Sequence, residues 1–306
     1  MGFRASIILP LLKQNDSWLE QSVRSALDQS VESEVLVVTD AATPNSNLDC
    51  LRQLGRSSSH LRVVECPPPR RFAGALNLGI QVASADRIGL LLSDDWLAPR
   101  AVELCLAHSA DIVSTSSTFY DADGITPLPE LGHLRKMSTY AKLRGHCARA
   151  EFLSHFFLFR RDALERAGGA DESLGDSPGI DDFDMIWTLL EQGASVAIVE
   201  ERLYNMRDHD GERLTTRNVE EMAATLNRIL NKHQVSAAER TAILERHLPW
   251  LGKPLSVTHR EIGGRRLPAL LRPFQTFYRG AIPLETRVKI YRRWIAPFFG
   301  KSNPIR

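Results

Sequence analysis

Carboxylates that could bind a metal ion follow two apolar runs of the chain. Asp94 and Asp95 follow the leucines of LLSDDWL at 91–97, and Asp40 ends EVLVVTD at 34–40. Hard divalent cations prefer oxygen ligands, and one or two carboxylates can hold such an ion against a phosphate. Each aspartate taken alone could equally be a helix N-cap or a turn residue, and Asp95 before WLAP fits that alternative.

Three further aspartates, Asp181, Asp182 and Asp184, stand at the start of a predicted helix at 183–192. Helix N-termini favour carboxylates, but three in four residues exceed what capping requires. Their mutual repulsion must be offset by a bound cation, a positive ligand group or proton uptake. We expect Asp181 and Asp184 to raise the basicity of Asp182 by repulsion.

Basic side chains accompany the acids in two other motifs. YNMRDHDGE places Arg207 and His209 in a predicted loop, where a solvated loop histidine is the plain alternative. PPPRRFAGALNLGI places Arg70 and Arg71 before a helix start rich in small residues. A phosphate could bind at such a helix start, although this signal is weak when taken alone.

Short apolar runs alternate with helical patterns and supply the elements that would position these residues. Strands are predicted at 6–9, 34–40, 61–66, 87–93, 111–115 and 195–199, and helices at 17–29, 47–56, 72–83, 99–108, 161–167 and 183–192. The alternation predicts an α/β fold with a mostly parallel, Rossmann-like sheet covered by helices on both faces. Ligands bind at the carboxyl ends of such strands, where Asp40 and Asp94 lie.

The composition is that of an ordinary globular protein, with 43% hydrophobic and 25% charged residues in a chain of 306. The four cysteines are far apart and form no CxxC motif, so a zinc site and a disulfide framework are not indicated. No apolar run reaches the length of a transmembrane helix, and the apolar run at the start is too short for a signal peptide. We therefore expect a cytoplasmic protein.

The C-terminal part differs from the rest in pattern and in charge. Helices are predicted at 218–233 and 236–247, and we predict a domain at 1–215 and a helical, basic extension at 216–306. Residues from 251 onward carry a net charge of +10, so the rest carries −9. The stretch 284–299 has an apolar stripe beside basic residues. It could lie on an anionic membrane surface at the inner face, or dock on the domain, which we favour.

Four quoted stretches, taken together and in order, resemble the inverting family 2 glycosyltransferases, which have the GT-A fold. They are SIILPLLKQNDSWLEQSVRSALDQSVESEVLVVTDAATP, ALNLGIQVASADRIGLLLSDDWLAPRAVE, HFFLFRRDALERAGGADESL and IDDFDMIWTLLEQG. The resemblance covers roughly residues 5 to 215. Each stretch is a loose pattern by itself, but their order along the chain is fairly specific.

The resemblance implies a role for each matching residue. Asp40 corresponds to the acid that contacts the nucleotide base, and Asp94 to the last aspartate of the DxD motif. Asp182 corresponds to the general base, and His209 to a histidine near the metal and diphosphate. The implied nucleotide-sugar-binding residues are Pro10, Asp40, Arg71, Asn77, Asp94, Asp95 and Arg207. The implied ligands of a divalent metal, Mg²⁺ or Mn²⁺, are Asp94 and His209.

The chain departs from the family pattern at several positions. Leu92 stands where the first aspartate of DxD is expected, and Thr39 replaces the first acid of the pair that ends the second strand. Lys13 stands where asparagine is frequent, and Leu76 where arginine is frequent. These changes bear on the type of nucleotide and on metal affinity more than on the base.

The predicted function is transfer of a sugar from a nucleotide-diphosphate sugar, by default a UDP-sugar, to a hydroxyl acceptor. The resemblance implies direct displacement with inversion, and a glycan or lipid-linked saccharide of a bacterial surface polysaccharide as acceptor. Two alternatives stay open: a degenerate relative that binds nucleotide-sugar or a partner without turnover, and a nucleotidyltransferase. The latter should carry a glycine-rich phosphate loop after the first strand, and LPLLKQND has none. Nucleic-acid binding is not expected.

Overall fold

The computed structural model describes residues 2–67, 71–128, 132–174, 180–209, 219–237, 239–240 and 243. Within them, one eight-stranded sheet is flanked by helices. The strands are β1 (Ala5–Leu11), β2 (Ser33–Asp40), β3 (Leu61–Cys66), β4 (Arg87–Leu90), β5 (Trp96–Leu97), β6 (Ile112–Tyr120), β7 (Phe157–Arg160) and β8 (Val196–Arg207). The helices are α1 (Asp16–Leu27), α2 (Asn45–Ser57), α3 (Arg71–Val82), α4 (Ala101–Leu106), α5 (Met137–Tyr140), α6 (His146–Phe152), α7 (Arg161–Ala167), α8 (Asp181–Glu191) and α9 (Val219–Lys232).

The sheet has a parallel half and a mixed half. Its strand order is β3-β2-β1-β4-β7-β6-β8-β5. The strands β3, β2, β1 and β4 pair in parallel, and β6 pairs in parallel with β8. The short strand β7 is antiparallel to both β4 and β6, and β5 is antiparallel to β8. The predicted α/β sheet is therefore confirmed, with antiparallel pairs in its second half.

Each face of the sheet is the base of a separate apolar core, because successive side chains of a strand point to opposite faces. Ile8 packs in one core, whereas Ile7 and Leu9 pack in the other. The first core includes side chains of α3, α6, α7, α8 and α9, and the second includes side chains of α1, α2 and α4. Buried on both faces, β1 and β2 read as continuous apolar runs.

The structure corrects the predicted strands in three places. The strand predicted at 87–93 ends at Leu90, and the chain then turns through residues 91–95. The strands predicted at 111–115 and 195–199 continue to Tyr120 and Arg207. The strands β5 and β7 were not predicted. Each is too short to show a pattern of alternating apolar residues in the sequence.

Helix α9 lies close to the predicted 218–233, and its buried side chains Leu226, Ile229 and Leu230 belong to one of the two cores. The predicted domain boundary at 215/216 stays a prediction, although α9 packs against residues of the predicted domain at 1–215. The stretch 284–299 and most of the predicted helix 236–247 lie outside the described residues. None of the helices in the described part of the chain has the length and apolarity that crossing a membrane requires.

Candidate active site

The carboxyl ends of β1 and β2 form one edge of the candidate site. Asp40 ends β2, and its Oδ1 accepts a hydrogen bond from Ala42 N at 2.6 Å. The hydroxyl of Thr43 accepts from Asp40 N at 3.0 Å and donates to Leu11 O at 3.2 Å. The turn after β2 is thereby tied to the end of β1, next to the partly buried Pro10. Asp40 and Pro10 share this edge, as the sequence predicts.

Asp94 lies in the turn after β4 and faces His209. Its Oδ2 is 3.1 Å from His209 Nε2. The His209 ring packs against Trp18 of α1, with the ring centroids 4.6 Å apart. Trp18 is positioned because α1 begins at a side-chain cap, in which Asn15 Oδ1 accepts from Ser17 N and Trp18 N. The structure therefore brings together the two predicted metal ligands, which are far apart in sequence.

Asp95 and Arg207 anchor this turn to the end of β8. Asp95 Oδ1 accepts from Arg207 N at 2.8 Å, so the carboxylate fixes the end of β8 and is not a helix cap. The guanidinium of Arg207 stacks between Trp18 and Trp96, at 4.9 and 5.0 Å from the ring centroids. Its Nε donates to Asp94 O at 3.1 Å.

Arg207 is only 1% exposed, and its remaining donors bond Ala122 O and the side chain of Gln21. Burial lowers the pKa of the Arg207 guanidinium, and the charges of Asp95 and Asp94 oppose that shift. Arg207 and Asp95 thus hold the Asp94 turn in place. Their predicted direct contact with a nucleotide-sugar stays a prediction.

Asn77 and Arg71 belong to α3. The Asn77 amide accepts from Ala170 N and donates to Ala170 O and Glu172 Oε1, each at 2.9 Å. Gly169, at φ +72°, allows this close approach, since an added Cβ would lie 2.3 Å from Asn77 Oδ1. The structure thus places Asn77 in a clamp between α3 and the segment after α7. The Arg71 side chain and all of Arg70 lie outside the description.

Asp182 lies in the first turn of α8, on the other side of the candidate site. Its Oδ1 accepts from Phe183 N at 2.9 Å, and its Oδ2 lies 3.0 Å from His155 Nε2. The Asp182 side chain is 24% exposed, so a substrate hydroxyl could reach it. His155 directly precedes Phe156 and the strand β7, and the sequence analysis did not identify it as a functional residue.

The structure corrects the interpretation that Asp184 raises the basicity of Asp182. Asp184 is fully buried, with Lys232 Nζ 2.6 Å from its Oδ2 and His233 Nε2 2.9 Å from its Oδ1. Burial lowers the pKa of Lys232, but hydrogen bonds to Asp184 and Asp171 outweigh it and raise the pKa. The Asp184 carboxylate is therefore paired with side chains of α9 and its C-terminal flank.

Tyr204 connects the two sides of the candidate site. Its ring stacks on His155, with centroids 5.2 Å apart and planes at 29°. Its hydroxyl accepts from Leu92 N at 3.2 Å, in the turn that carries Asp94. Burial, followed by the charge of Asp95, raises the pKa of Tyr204 well above its ordinary value, so the phenol stays protonated.

The Asp94–His209 pair is chemically suited to a divalent metal. A carboxylate oxygen and an imidazole nitrogen can both bind Mn²⁺, and Mg²⁺ also accepts one or two carboxylates plus phosphate oxygens. Among the residues that the structure describes, no group of three or more His, Cys, Asp and Glu side chains could hold an ion.

The comparison with protein families identifies the class of this protein. The model of glycosyl transferase family 2 matches residues 6–168, just over half of the chain. The chain therefore belongs to this family, and the resemblance seen in the sequence is confirmed. Membership favours the predicted enzyme class, a glycosyltransferase, over the nucleotidyltransferase that the sequence analysis kept open.

Curated relatives cover the same region. The chain is 27% identical over 206 residues to the O-antigen biosynthesis protein RfbC of Myxococcus xanthus, covering 66% of this chain and 16% of that protein. It is 27% identical over 228 residues to a chondroitin synthase of Pasteurella multocida, covering 72% and 22%. The chain thus spans less than a quarter of the length of these relatives.

Solved structures share the fold at low identity. The mannosyltransferase PcManGT from Pyrobaculum calidifontis, in complex with GDP-Man and Mn²⁺, aligns with a TM-score of 0.59 at 16% identity, over 98% of this chain and 88% of that one. S. aureus TarS 1-349, in complex with UDP-GlcNAc, aligns with a TM-score of 0.58 at 16% identity, over 96% and 88%. The predicted GT-A fold is thereby confirmed.

Proposed function

We propose that this protein is an inverting glycosyltransferase that moves a sugar from a nucleotide-diphosphate sugar to a hydroxyl acceptor. The observation that carries the proposal is the pairing of two aspartates with two histidines, both linked to Tyr204. The Tyr204 ring stacks on His155, and its hydroxyl accepts a hydrogen bond from Leu92 N in the turn that carries Asp94. Asp94 with His209 has the chemistry of a metal and diphosphate site. Asp182 with His155 has the chemistry of a base held by a hydrogen bond.

On the donor side, Asp40 and Pro10 lie where the nucleotide base would bind, at the carboxyl ends of two neighbouring parallel strands. Asp94 and His209 would hold Mg²⁺ or Mn²⁺. When bound, such an ion neutralises charge on the diphosphate leaving group. Arg207 and Asp95 hold the backbone of the turn that carries Asp94.

On the acceptor side, Asp182 takes the proton from the acceptor hydroxyl as that oxygen forms a bond to the anomeric carbon. The bond between this carbon and the nucleoside diphosphate breaks at the same time, so the configuration inverts. This chemistry needs a carboxylate that is ionised and accessible to a saccharide. Asp182 is part-exposed and lies in the first turn of α8, where a saccharide hydroxyl could approach it.

The substrate class follows from the relatives. Their names include an O-antigen biosynthesis protein, two chondroitin synthases and a hyaluronan synthase, which supports a glycan acceptor in bacterial surface polysaccharide synthesis. Similar structures hold UDP-GlcNAc and GDP-Man, so both UDP- and GDP-sugars are candidate donors. A UDP-sugar is our first choice because UDP is the default in the resemblance.

The donor is identified by thermal-shift measurements on the full chain with UDP-, GDP-, dTDP- and CDP-sugars, each with Mn²⁺ and with EDTA. A ligand that binds only the native state raises the melting temperature by mass action. We expect a shift with one nucleotide class that is lost in EDTA. No shift with any of these donors would contradict the proposed nucleotide-sugar site.

The base is tested by Asp182→Asn, with release of nucleoside diphosphate from that donor as the readout. We expect kcat to fall by about 1,000-fold with an unchanged thermal shift, because only the proton acceptor is lost. The matched variant Asp94→Asn should instead weaken donor binding and its dependence on Mn²⁺. Near-normal turnover of Asp182→Asn would show that another group is the base.

Leu92, in place of the first DxD aspartate, favours one second candidate, a relative that binds nucleotide-sugar without turnover. Many glycosyltransferases slowly hydrolyse their donor, so the same release assay without acceptor separates the two candidates. A metal-dependent thermal shift without any release of nucleoside diphosphate, with water or with a panel of saccharides, would favour the binding protein.

A further inference from the structure

His155 contacts the carboxylate to which we assign the base role. Its Nε2 lies 3.0 Å from Asp182 Oδ2, and its side chain is 11% exposed. The other carboxylate oxygen, Oδ1, accepts from Phe183 N at 2.9 Å. Asp182 thus has one hydrogen-bond donor on each oxygen, one from the backbone of its own helix and one from His155.

The His155 ring is held from several directions. Its neighbours in sequence are anchored on β6, since Ser154 N donates to Ser114 Oγ at 3.0 Å and Phe156 N donates to Thr115 Oγ1 at 2.8 Å. One side of the ring stacks on Tyr204, and Phe157 packs at a centroid distance of 4.7 Å. The imidazole is therefore fixed before any substrate binds.

The second ring nitrogen indicates where the proton lies. His155 Nδ1 is buried and has no hydrogen-bond partner among the described residues. An N–H buried at this position would lose its hydrogen bond to water without replacement, which is costly. The neutral ring with its proton on Nε2 uses its one donor on Asp182. His155 then orients the carboxylate without neutralising its charge.

We propose that His155 is a positioning residue that aims the Asp182 carboxylate at the acceptor hydroxyl. This inference rests on the proposed function, in which Asp182 is the base. Tyr204 extends the arrangement, because it stacks on His155 and accepts a hydrogen bond from Leu92 N in the Asp94 turn. The base and the donor-binding turn are thereby set relative to each other by one buried side chain.

The test compares three variants of His155 in the nucleoside diphosphate release assay. His155→Phe keeps an aromatic ring and loses the donor, and we expect kcat to fall by about 100-fold with the donor KM unchanged. His155→Gln can place an amide N–H near the position of Nε2, and we expect it to restore kcat to within a few-fold of wild type. His155→Asn is too short to do so and should resemble His155→Phe.

His133→Gln is the matched control. The Nδ1 of His133 is also buried with no hydrogen-bond partner among the described residues, and its ring packs against Phe119 at 5.2 Å. We expect this variant to change stability and to leave kcat near wild type. A general loss of kcat in His133→Gln and in all three His155 variants would show a merely structural role and overturn the proposal.

Two further outcomes separate this inference from the proposed function. If Asp182→Asn is inactive while His155→Phe turns over normally, the base assignment stands and the positioning role of His155 is overturned. If Asp182→Asn is itself active, the proposed base fails. The double variant Asp182→Asn with His155→Phe should be no slower than Asp182→Asn alone, since His155 acts only through Asp182. Should His155→Phe not fold, the contrast between glutamine and asparagine decides the same question.

Discussion

The two Asp–His pairs resemble each other in geometry and differ in their surroundings. The pairs Asp94–His209 and Asp182–His155 have nearly equal N···O distances, 3.1 and 3.0 Å, and in each the histidine is the more buried partner. The first pair lies next to the Arg207 guanidinium, which contacts the rings of Trp18 and Trp96. The second pair lies at the N-terminus of α8, where His155 stacks on Tyr204. The surroundings of the two pairs thus differ, which fits the different roles that we propose for them.

The two pairs also share a relation to the family match. Residues 6–168 contain Asp94 and His155, whereas Asp182 and His209 follow that range. Each pair thus joins one residue inside the matched range with one residue beyond it. The segment after residue 168 is needed to complete both pairs, so the candidate site cannot be assigned from the matched range alone.

The largest effect on stability is expected from Asp184→Asn, which removes the charge that faces Lys232 and His233 beneath the base. Lys232 keeps Asp171 as a partner and His233 keeps Glu191, but both lose a hydrogen bond to a buried carboxylate. We expect a loss of about 2 kcal/mol in the free energy of unfolding. Denaturant unfolding measures it. We expect turnover to fall, because α8 carries the proposed base, while donor binding at the Asp94 side should persist in the folded fraction.

The matched variant for this prediction is Asp171→Asn. Asp171 also bonds Lys232 Nζ, at 2.9 Å, but its side chain is 24% exposed. Solvent screens such a contact, and a loss of about 1 kcal/mol is expected. Equal losses in Asp184→Asn and Asp171→Asn would show that the buried cluster is not what holds α9 to α8.

A smaller effect is expected when the histidines of the two pairs are exchanged for glutamine. His209→Gln should weaken donor binding about tenfold in Mn²⁺ and hardly at all in EDTA, because a proposed metal ligand is lost. His155→Gln should leave the Mn²⁺ dependence intact. Calorimetric titration of the donor into each variant gives the dissociation constant in Mn²⁺ and in EDTA. If His209→Gln loses as much donor affinity in EDTA as in Mn²⁺, His209 is not a metal ligand.

The smallest effect is expected from Glu34→Gln, which leaves both pairs untouched. Glu34 lies near the N-terminal end of β2, at the opposite end from Asp40. It accepts hydrogen bonds from Ser6 Oγ at 2.7 Å and Ser84 N at 2.9 Å and pairs with Arg62. Burial raises the pKa of Glu34, but these partners outweigh it and lower the pKa below 4.5. We expect a loss of about 1 kcal/mol at neutral pH and no change in donor KM.

The pH dependence of that loss has a definite sign. Because the folded-state pKa of Glu34 is lowered, its contribution to stability is fully present above pH 4.5 and is lost as the pH falls through the folded-state value. The difference between wild type and Glu34→Gln should therefore shrink in acid. Unfolding measured from pH 7 down to pH 3 checks it, and a difference that grows in acid would contradict the assignment.

Much of the first half of the fold was predictable because its signals are local. The strands β1 and β2 are buried apolar runs with a helical pattern after each, and Asp40 ends the second of them. The strand β3 lies at the edge of the sheet and is partly exposed, but Leu61, Val63 and Val64 still give it a local strand signal. The short strand β7 and the two-residue β5 were not predictable in this way, because they are defined by their partners in the sheet. The hydrogen bonds that Arg207 and Asn77 make to neighbouring protein groups were not predictable either, and their contact with a nucleotide-sugar stays a prediction.

The sequence by itself determined which side chains carry charge and that Asp40 ends β2. It also predicted that Asp94 follows a parallel strand, so that the two aspartates lie toward the same edge of the sheet. Only the tertiary structure decided the partners of the carboxylates. His155 and Asp182 are 27 residues apart, and Asp94 and His209 are 115 apart. The strand order and the path of β8 bring such residues together. Because hydrophobic periodicity encodes the type of an element and not its neighbours, no local pattern could reveal these pairs.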